Sequence, residues 1–171
     1  MARIPSLEDI VDTDQFPLHD PSHPRYKELV DYCRAELADD GCCSVPRFFR
    51  PQAIEVATAM VEGLTDKVHR PNEDSTPYGG EIDINLPEGH PRRVTYRRGG
   101  GFICADLLDK ESALWTFFNS PQVTEFMMTA FETRPLYQYA DPLSSMAINS
   151  MGDGDEFPWH FDTNELTVSI M

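Results

Sequence analysis

Apolar residues recur at helical spacing in three stretches of the chain, and the pattern changes to alternation towards its end. In the first stretch Leu29, Val30, Cys33 and Leu37 fall on one face of a helix beginning near Pro24. Pro24 suits the first turn, Ser22 is a candidate cap, and Asp40-Gly41 supplies the stop. A second helix is expected after Arg50, with Pro51 in its first turn. Ile54, Ala57, Met60, Val61 and Leu64 form its apolar stripe, which reads as core rather than as a cofactor contact. Helical signals return over residues 109–133 in two groups. Leu114, Trp115, Phe117 and Phe118 come before a break at Ser120-Pro121, and Val123, Phe126, Met127 and Ala130 after it. The remainder reads as β structure: residues 136–139, residues 145–151, a turn at Gly152-Asp153-Gly154-Asp155, and the alternating run 166–171. A further short strand is expected at 42–45, broken at Pro46. Helices first and strands last predict an α+β fold, a helical layer buttressing a sheet or barrel. No internal repeat interrupts that order.

Composition narrows the function classes. A chain of 171 residues that is 40% hydrophobic can bury a real core, and 11% aromatics is too many for a disordered chain. The formal net charge of -15 disfavours phosphate backbones and anionic lipid surfaces, so neither nucleic acid nor a membrane is expected as a partner. No run approaches the roughly 18 apolar residues of a spanning helix. Residues 1–5 lack the apolar stretch of a signal peptide, so the expected location is cytoplasmic. The four cysteines, Cys33, Cys42, Cys43 and Cys104, lack zinc-site spacing and read as structural thiols.

Residues 69–101 are rich in Pro and Gly and read as loop. The triple glycine Gly99-Gly100-Gly101 lacks the continuation of a phosphate-binding loop, so a lid or substrate loop is the better reading. Arg92, Arg93, Arg97 and Arg98 concentrate positive charge here; they could meet an anionic group, although pairing with nearby acids explains them as well.

The chemically informative segment is Phe157-Pro158-Trp159-His160-Phe161-Asp162-Thr163-Asn164-Glu165. On extended backbone, residues i and i+2 point to the same side, so the His160 imidazole and the Asp162 carboxylate can converge on one cation. A third ligand from elsewhere would complete a 2-His-1-carboxylate facial triad, with one face of an octahedral Fe(II) left open. Taken alone, His-x-Asp also fits a loop histidine bonded to its neighbour. The acidic turn before it and the alternating run after it match how a jelly-roll barrel presents a ligand pair at its mouth. Trp159 could wall such a site, Asn149 could bond a cosubstrate or substrate carboxylate, and Thr163 and Asn164 could bond a polar substrate.

From Leu136-Tyr137-Gln138-Tyr139-Ala140-Asp141-Pro142-Leu143 through Asn149 to Trp159-His160-Phe161-Asp162 and Thr167-Val168-Ser169-Ile170-Met171, the chain resembles the Fe(II)/2-oxoglutarate-dependent oxygenases that include amino-acid hydroxylases and related halogenases. His90-Pro91-Arg92-Arg93 and the helical residues 105–131 extend the resemblance to roughly residues 40–171. The resemblance implies N-terminal helices packed on a double-stranded β-helix, a cupin-like jelly roll. It implies Fe(II), 2-oxoglutarate and dioxygen as requirements, with His160 and Asp162 as metal ligands. The related halogenases carry a small residue where this chain has Asp162, so hydroxylation of a small polar molecule such as an amino acid is the implied chemistry.

The resulting layout is an extended arm over 1–23 and an oxygenase domain over 24–171, helical over 24–133 with the first barrel strands over 134–171. The family places its second His ligand and its 2-oxoglutarate-binding Arg downstream of His-x-Asp, beyond Met171. His19, His23, His69 and His90 all lie upstream and read as surface or structural residues. The barrel is therefore expected to be incomplete at the C-terminus, and residues 1–171 to bind iron weakly and turn nothing over. Besides the small-molecule substrate, a homo-oligomer or a complementing C-terminal segment is the expected partner. Two other readings stay open: a non-catalytic cupin-like fragment that binds a partner, and a metal-dependent enzyme that does not use 2-oxoglutarate.

Overall fold

A computed structural model describes residues 3–72, 74–162 and 164–171. The fold is α+β, with helices and small two-stranded sheets. It divides into two compact units, one of Met1–Leu64 with Cys104–Met146 and one of Thr65–Ile103 with Ala147–Met171.

The first unit holds helices α1 (Leu7–Ile10), α2 (Pro24–Asp40), α3 (Pro51–Glu62), α4 (Ala113–Phe118) and α5 (Pro121–Ala130). Local chemistry sets their ends. At α2 the cap is His23 rather than Ser22: the His23 Nδ1 accepts from the Arg25 amide at 3.1 Å, and Pro24 fills the first helical position. Ser22 sits one residue too early, and Asp20 takes both its amide (3.0 Å) and its hydroxyl (2.6 Å). Gly41 ends the helix in the left-handed conformation, φ 72°, with its amide on the Leu37 carbonyl at 3.1 Å. Ser112 and Ser120 cap α4 and α5, and Pro121 opens α5.

Phe48 is the centre of the core. Its ring lies 5.3 Å from Phe16, 6.2 Å from Phe117 and 6.5 Å from Phe126, and Phe126 in turn meets Tyr26 edge-on at 6.1 Å. Such aromatic clusters dominate core energetics through their buried area. The N-terminal stretch, expected as an arm across the surface, places Ile10, Val11 and Leu18 in this core. Arg50 holds the stretch down: its amide donates to the Ile10 carbonyl at 2.8 Å and its Nε to the Glu8 carbonyl at 2.7 Å. It also pairs with Asp14 at 3.2 Å. In α3 the small Ala53 packs against the core, while Ile54, expected in the apolar stripe, is 49% exposed. Residues 42–45 and 136–139 form no strand, and Tyr137 is 80% exposed. An extended apolar run becomes a strand only where a neighbouring strand takes up its backbone donors and acceptors, and among the described residues neither segment pairs with one.

The second unit holds β1 (Asp74–Ser75), β2 (Tyr96–Arg97), all but the last residue of β3 (Gly101–Cys104), and β4 (Ala147–Ser150). β1 pairs antiparallel with β2, Asp74 opposite Arg97, and β3 pairs with β4. β4 falls inside the run 145–151 expected to be a strand. Residues 166–171 alternate in sequence, yet among the described residues no strand pairs with them and they stay irregular.

Among the unit's glycines, the triple glycine is the one packed closely against backbone. A Cβ on Gly99 would lie 2.5 Å from the Glu156 amide nitrogen, and one on Gly101 would lie 2.5 Å from the His69 carbonyl oxygen. Gly100 has φ +73° and stands 2.7 Å, by the same measure, from the Ser150 carbonyl oxygen. The expected turn at 152–155 is present. The Asp155 amide bonds back to the Gly152 carbonyl at 3.1 Å, and its carboxylate accepts from the Gly152 amide at 2.7 Å and from Arg70 at 3.1 Å. The Gly152 bond and then Arg70 hold the Asp155 carboxyl below its ordinary value. Among the described residues no helix is long and apolar enough to cross a membrane.

Candidate metal-ligand pair

His160 and Asp162 lie in the second unit, outside any helix or strand, after the 152–155 turn. The side chains of this segment make two groups of contacts. Trp159 meets Phe161 edge-on at 5.8 Å, and Phe161 stacks on Tyr78 at 4.8 Å with an 11° interplanar angle. The Phe161 amide donates to the Pro77 carbonyl at 2.8 Å and fixes the segment there. The other set is His160 with Asp162.

Three contacts orient the pair. The His160 Nδ1 lies 2.8 Å from the Pro158 carbonyl oxygen. A carbonyl can only accept, so in this contact Nδ1 is the donor, and Nε2 is the ring nitrogen left to face Asp162. Nε2 lies 3.3 Å from Asp162 Oδ1. The other carboxylate oxygen, Oδ2, accepts from the Thr167 hydroxyl at 2.6 Å. Phe157 covers the imidazole at 4.3 Å between ring centres. His160 is half-buried and Asp162 more open, at 30% and 44% side-chain exposure, so a cation could reach both from solvent.

The donor set fits two corners of a metal site. Ligand atoms about 2.1 Å from one cation and at right angles to each other are about 3 Å apart. Metal-binding histidines characteristically donate their other ring N–H to a carbonyl or carboxylate, and ligating carboxylates are themselves hydrogen-bonded. Pro158 and Thr167 fill these two roles. Among the described residues there is no group of three or more His, Cys, Asp or Glu placed to hold a metal, so the pair stands without a third protein donor there.

The softer candidates divide. Asn164 joins the pair through Thr167: its amide donates to the Leu166 carbonyl at 2.6 Å and to Thr167 Oγ1 at 2.7 Å. Asn149, on β4, accepts from Arg98, whose guanidinium lies 4.1 Å over the Phe157 ring. Asn149 therefore reaches His160 only at the far end of an Arg98–Phe157 relay. Trp159 is 81% exposed and packs on Phe161, apart from the ligand pair. Thr163 lies outside the described residues. The sequence marked Arg98 only as a possible contact for an anionic group and Phe157 only as part of the informative segment, and gave Thr167 no role at the site. For Thr167 the one hint is a hydroxyl within the run that follows the ligands.

The arginines fall between the two sequence readings. Arg97 pairs with Asp74 at 3.1 Å, but Arg93 bonds the Leu86 carbonyl at 2.8 Å, and Arg92 lies 5.3 Å over the Tyr78 ring. No family model matches this chain, and neither does any curated protein or any solved structure.

Proposed function

We propose that the chain belongs to a non-haem Fe(II)/2-oxoglutarate-dependent oxygenase in which His160 Nε2 and an Asp162 carboxylate oxygen hold the iron. The observation that supports this most is the orientation of the pair, with Nδ1 committed to Pro158, Nε2 turned towards Asp162 Oδ1 at 3.3 Å, and Oδ2 tied to Thr167. The sequence resemblance supplies the choice of metal and cosubstrate. Fe(II) with 2-oxoglutarate and dioxygen would supply the oxidising power for hydroxylating a small polar substrate such as an amino acid. The chain's own residues do the positioning. Pro158 fixes the imidazole tautomer, Thr167 with Asn164 fixes the carboxylate, and Phe157 shields one ring face. Asp162 fills the position that halogenation would need free, so hydroxylation is the proposed outcome. The jelly roll and the location in the cytoplasm belong to this proposal too. A third donor would come from a second copy of the chain or from a complementing segment.

One observation favours a second reading. A protonated His160 would make the same 3.3 Å contact as an ion pair that pins residues 157–167, in a cupin-like fragment that acts by binding a partner. A metal-dependent enzyme indifferent to 2-oxoglutarate is the remaining alternative. Anaerobic titration of the chain with Fe(II), with and without 2-oxoglutarate, separates the three. The oxygenase reading expects a visible charge-transfer band that needs both additions and is lost in H160A. Metal binding unaffected by 2-oxoglutarate would support the third reading, and absence of metal binding the second.

A further inference from the structure

Away from the metal pair, the first unit brings two thiols together that sequence spacing leaves unconnected. Gly41 stops α2 in the left-handed conformation and turns the chain back along the helix. The returning segment is then held to α2 by consecutive residues. Tyr32 donates its hydroxyl to the Ser44 carbonyl at 3.0 Å, and the next helical residue, Cys33, belongs to the core cluster against which Cys43 packs. Cys33 is buried in the core, and Cys43 packs against that core while keeping part of its surface open. Cys42, next in sequence to Cys43, is exposed.

We infer that Cys33 and Cys43 form a reversible disulfide by exchange with a small-molecule disulfide, with Cys43 as the entry thiol and Cys33 as the resolving one. In the first step the Cys43 thiolate attacks one sulfur of the small disulfide. The S–S bond of that molecule breaks, a Cys43 mixed disulfide forms, and one small thiol leaves with a proton from solvent. In the second step Cys33 gives its proton to solvent and attacks the Cys43 sulfur, expelling the second small thiol. Two protein thiols are oxidised and one small disulfide is reduced to two thiols. The order follows from access, since the partly open thiol meets the reagent and the buried one completes the bond. Burial first, and then the neighbouring Cys43, push the Cys33 thiol up to about 12, which makes Cys33 the poorer group to start. The crosslink would staple the middle of α2 to the segment leading into Phe48, and so report redox state to the core.

The test is incubation of the full chain with glutathione disulfide, followed by peptide mapping by mass spectrometry without reduction. The expected product is a single 33–43 crosslink, present equally in C42S, absent in C43S, and replaced by a glutathione adduct on Cys43 in C33S. C33A, which leaves no buried hydroxyl, repeats the last arm, and the circular dichroism of every variant confirms that the helices persist. Glutathione carried mainly on Cys42 with no 33–43 crosslink would overturn the inference. So would a crosslink that survives C43S, or a Cys43 that stays free in both Cys33 variants.

Discussion

Phe48, Phe117 and Phe126 lie buried side by side in the helical unit, whereas Tyr78, Phe161 and Trp159 in the other unit stack in the open, 41%, 51% and 81% exposed. The same residue types serve opposite ends. In the helical unit, rings from segments far apart in sequence exclude water, and helices with local caps fix where each ring falls. In the strand-bearing unit, hydrogen bonds and close backbone approaches at glycine hold short strands and turns, and rings cover arginines and the candidate metal pair. A unit built the first way is stabilised by apolar area. One built the second way depends on a few backbone positions, and it leaves polar side chains accessible for chemistry.

The largest expected effect breaks the first unit. Phe48→Ala removes the ring on which the others pack and should cost about 3–5 kcal/mol of stability, read by chemical denaturation. A cost no larger than that of an exposed phenylalanine such as Phe157 would mean that the helical unit is not held by this cluster. The next tests the second unit. Gly100→Ala places a side chain at φ +73° against the Ser150 carbonyl, and a non-glycine residue held in the left-handed region costs about 1–3 kcal/mol. Hydrogen exchange should speed up at 147–156 and leave α2 and α5 protected.

A third prediction compares the units directly, because the tripeptide His-Pro-Arg occurs once in each with the same cap geometry. His23 Nδ1 takes the Arg25 amide at 3.1 Å, and His90 Nδ1 takes the Arg92 amide at 3.2 Å. His23→Ala should cost about 0.5–2 kcal/mol, since it caps a long helix. His90→Ala, at the head of a three-residue turn, should cost less, and thermal melts of the two variants check the ranking. The smallest effect is one of pH. The Asp155 carboxyl is held below its ordinary value, so its contribution is present above the unfolded value of 3.8 and is lost as pH falls through the lower folded value. Wild type should therefore be more stable than D155N at neutral pH, with the gap closing below about pH 4 in acid unfolding.

The helices were legible in the sequence because everything that makes them is local. Apolar spacing marked α2, α3 and the pair α4 and α5, and Pro24, Pro51 and Ser120-Pro121 marked their starts. Ser22 misled as the cap because one residue of offset decides which side chain meets the amide of Arg25, and Asp20 had already taken Ser22. Strands were legible only in part. The run 145–151 contains β4, whereas 136–139 and 166–171 carry the same kind of signal and find no partner, since pairing is a property of two segments and alternation of one. The triple glycine showed itself as special, but what it touches, Glu156, Ser150 and His69, is invisible without the fold. At the site, the spacing of His160 and Asp162 placed the two side chains together, while the groups that orient them, the Pro158 carbonyl and the Thr167 hydroxyl, carry no motif.

The central claim is that His160 and Asp162 are two ligands of one metal ion and not merely an ion pair. Anaerobic calorimetric titration with Fe(II) on wild type, H160A, D162A and T167A tests it most directly. The account predicts weak but measurable binding to wild type, abolished in H160A and D162A. In T167A it should fall about 10–100-fold, the usual cost of losing a group that orients a ligand. Equal Fe(II) affinity in wild type and both ligand variants would contradict it.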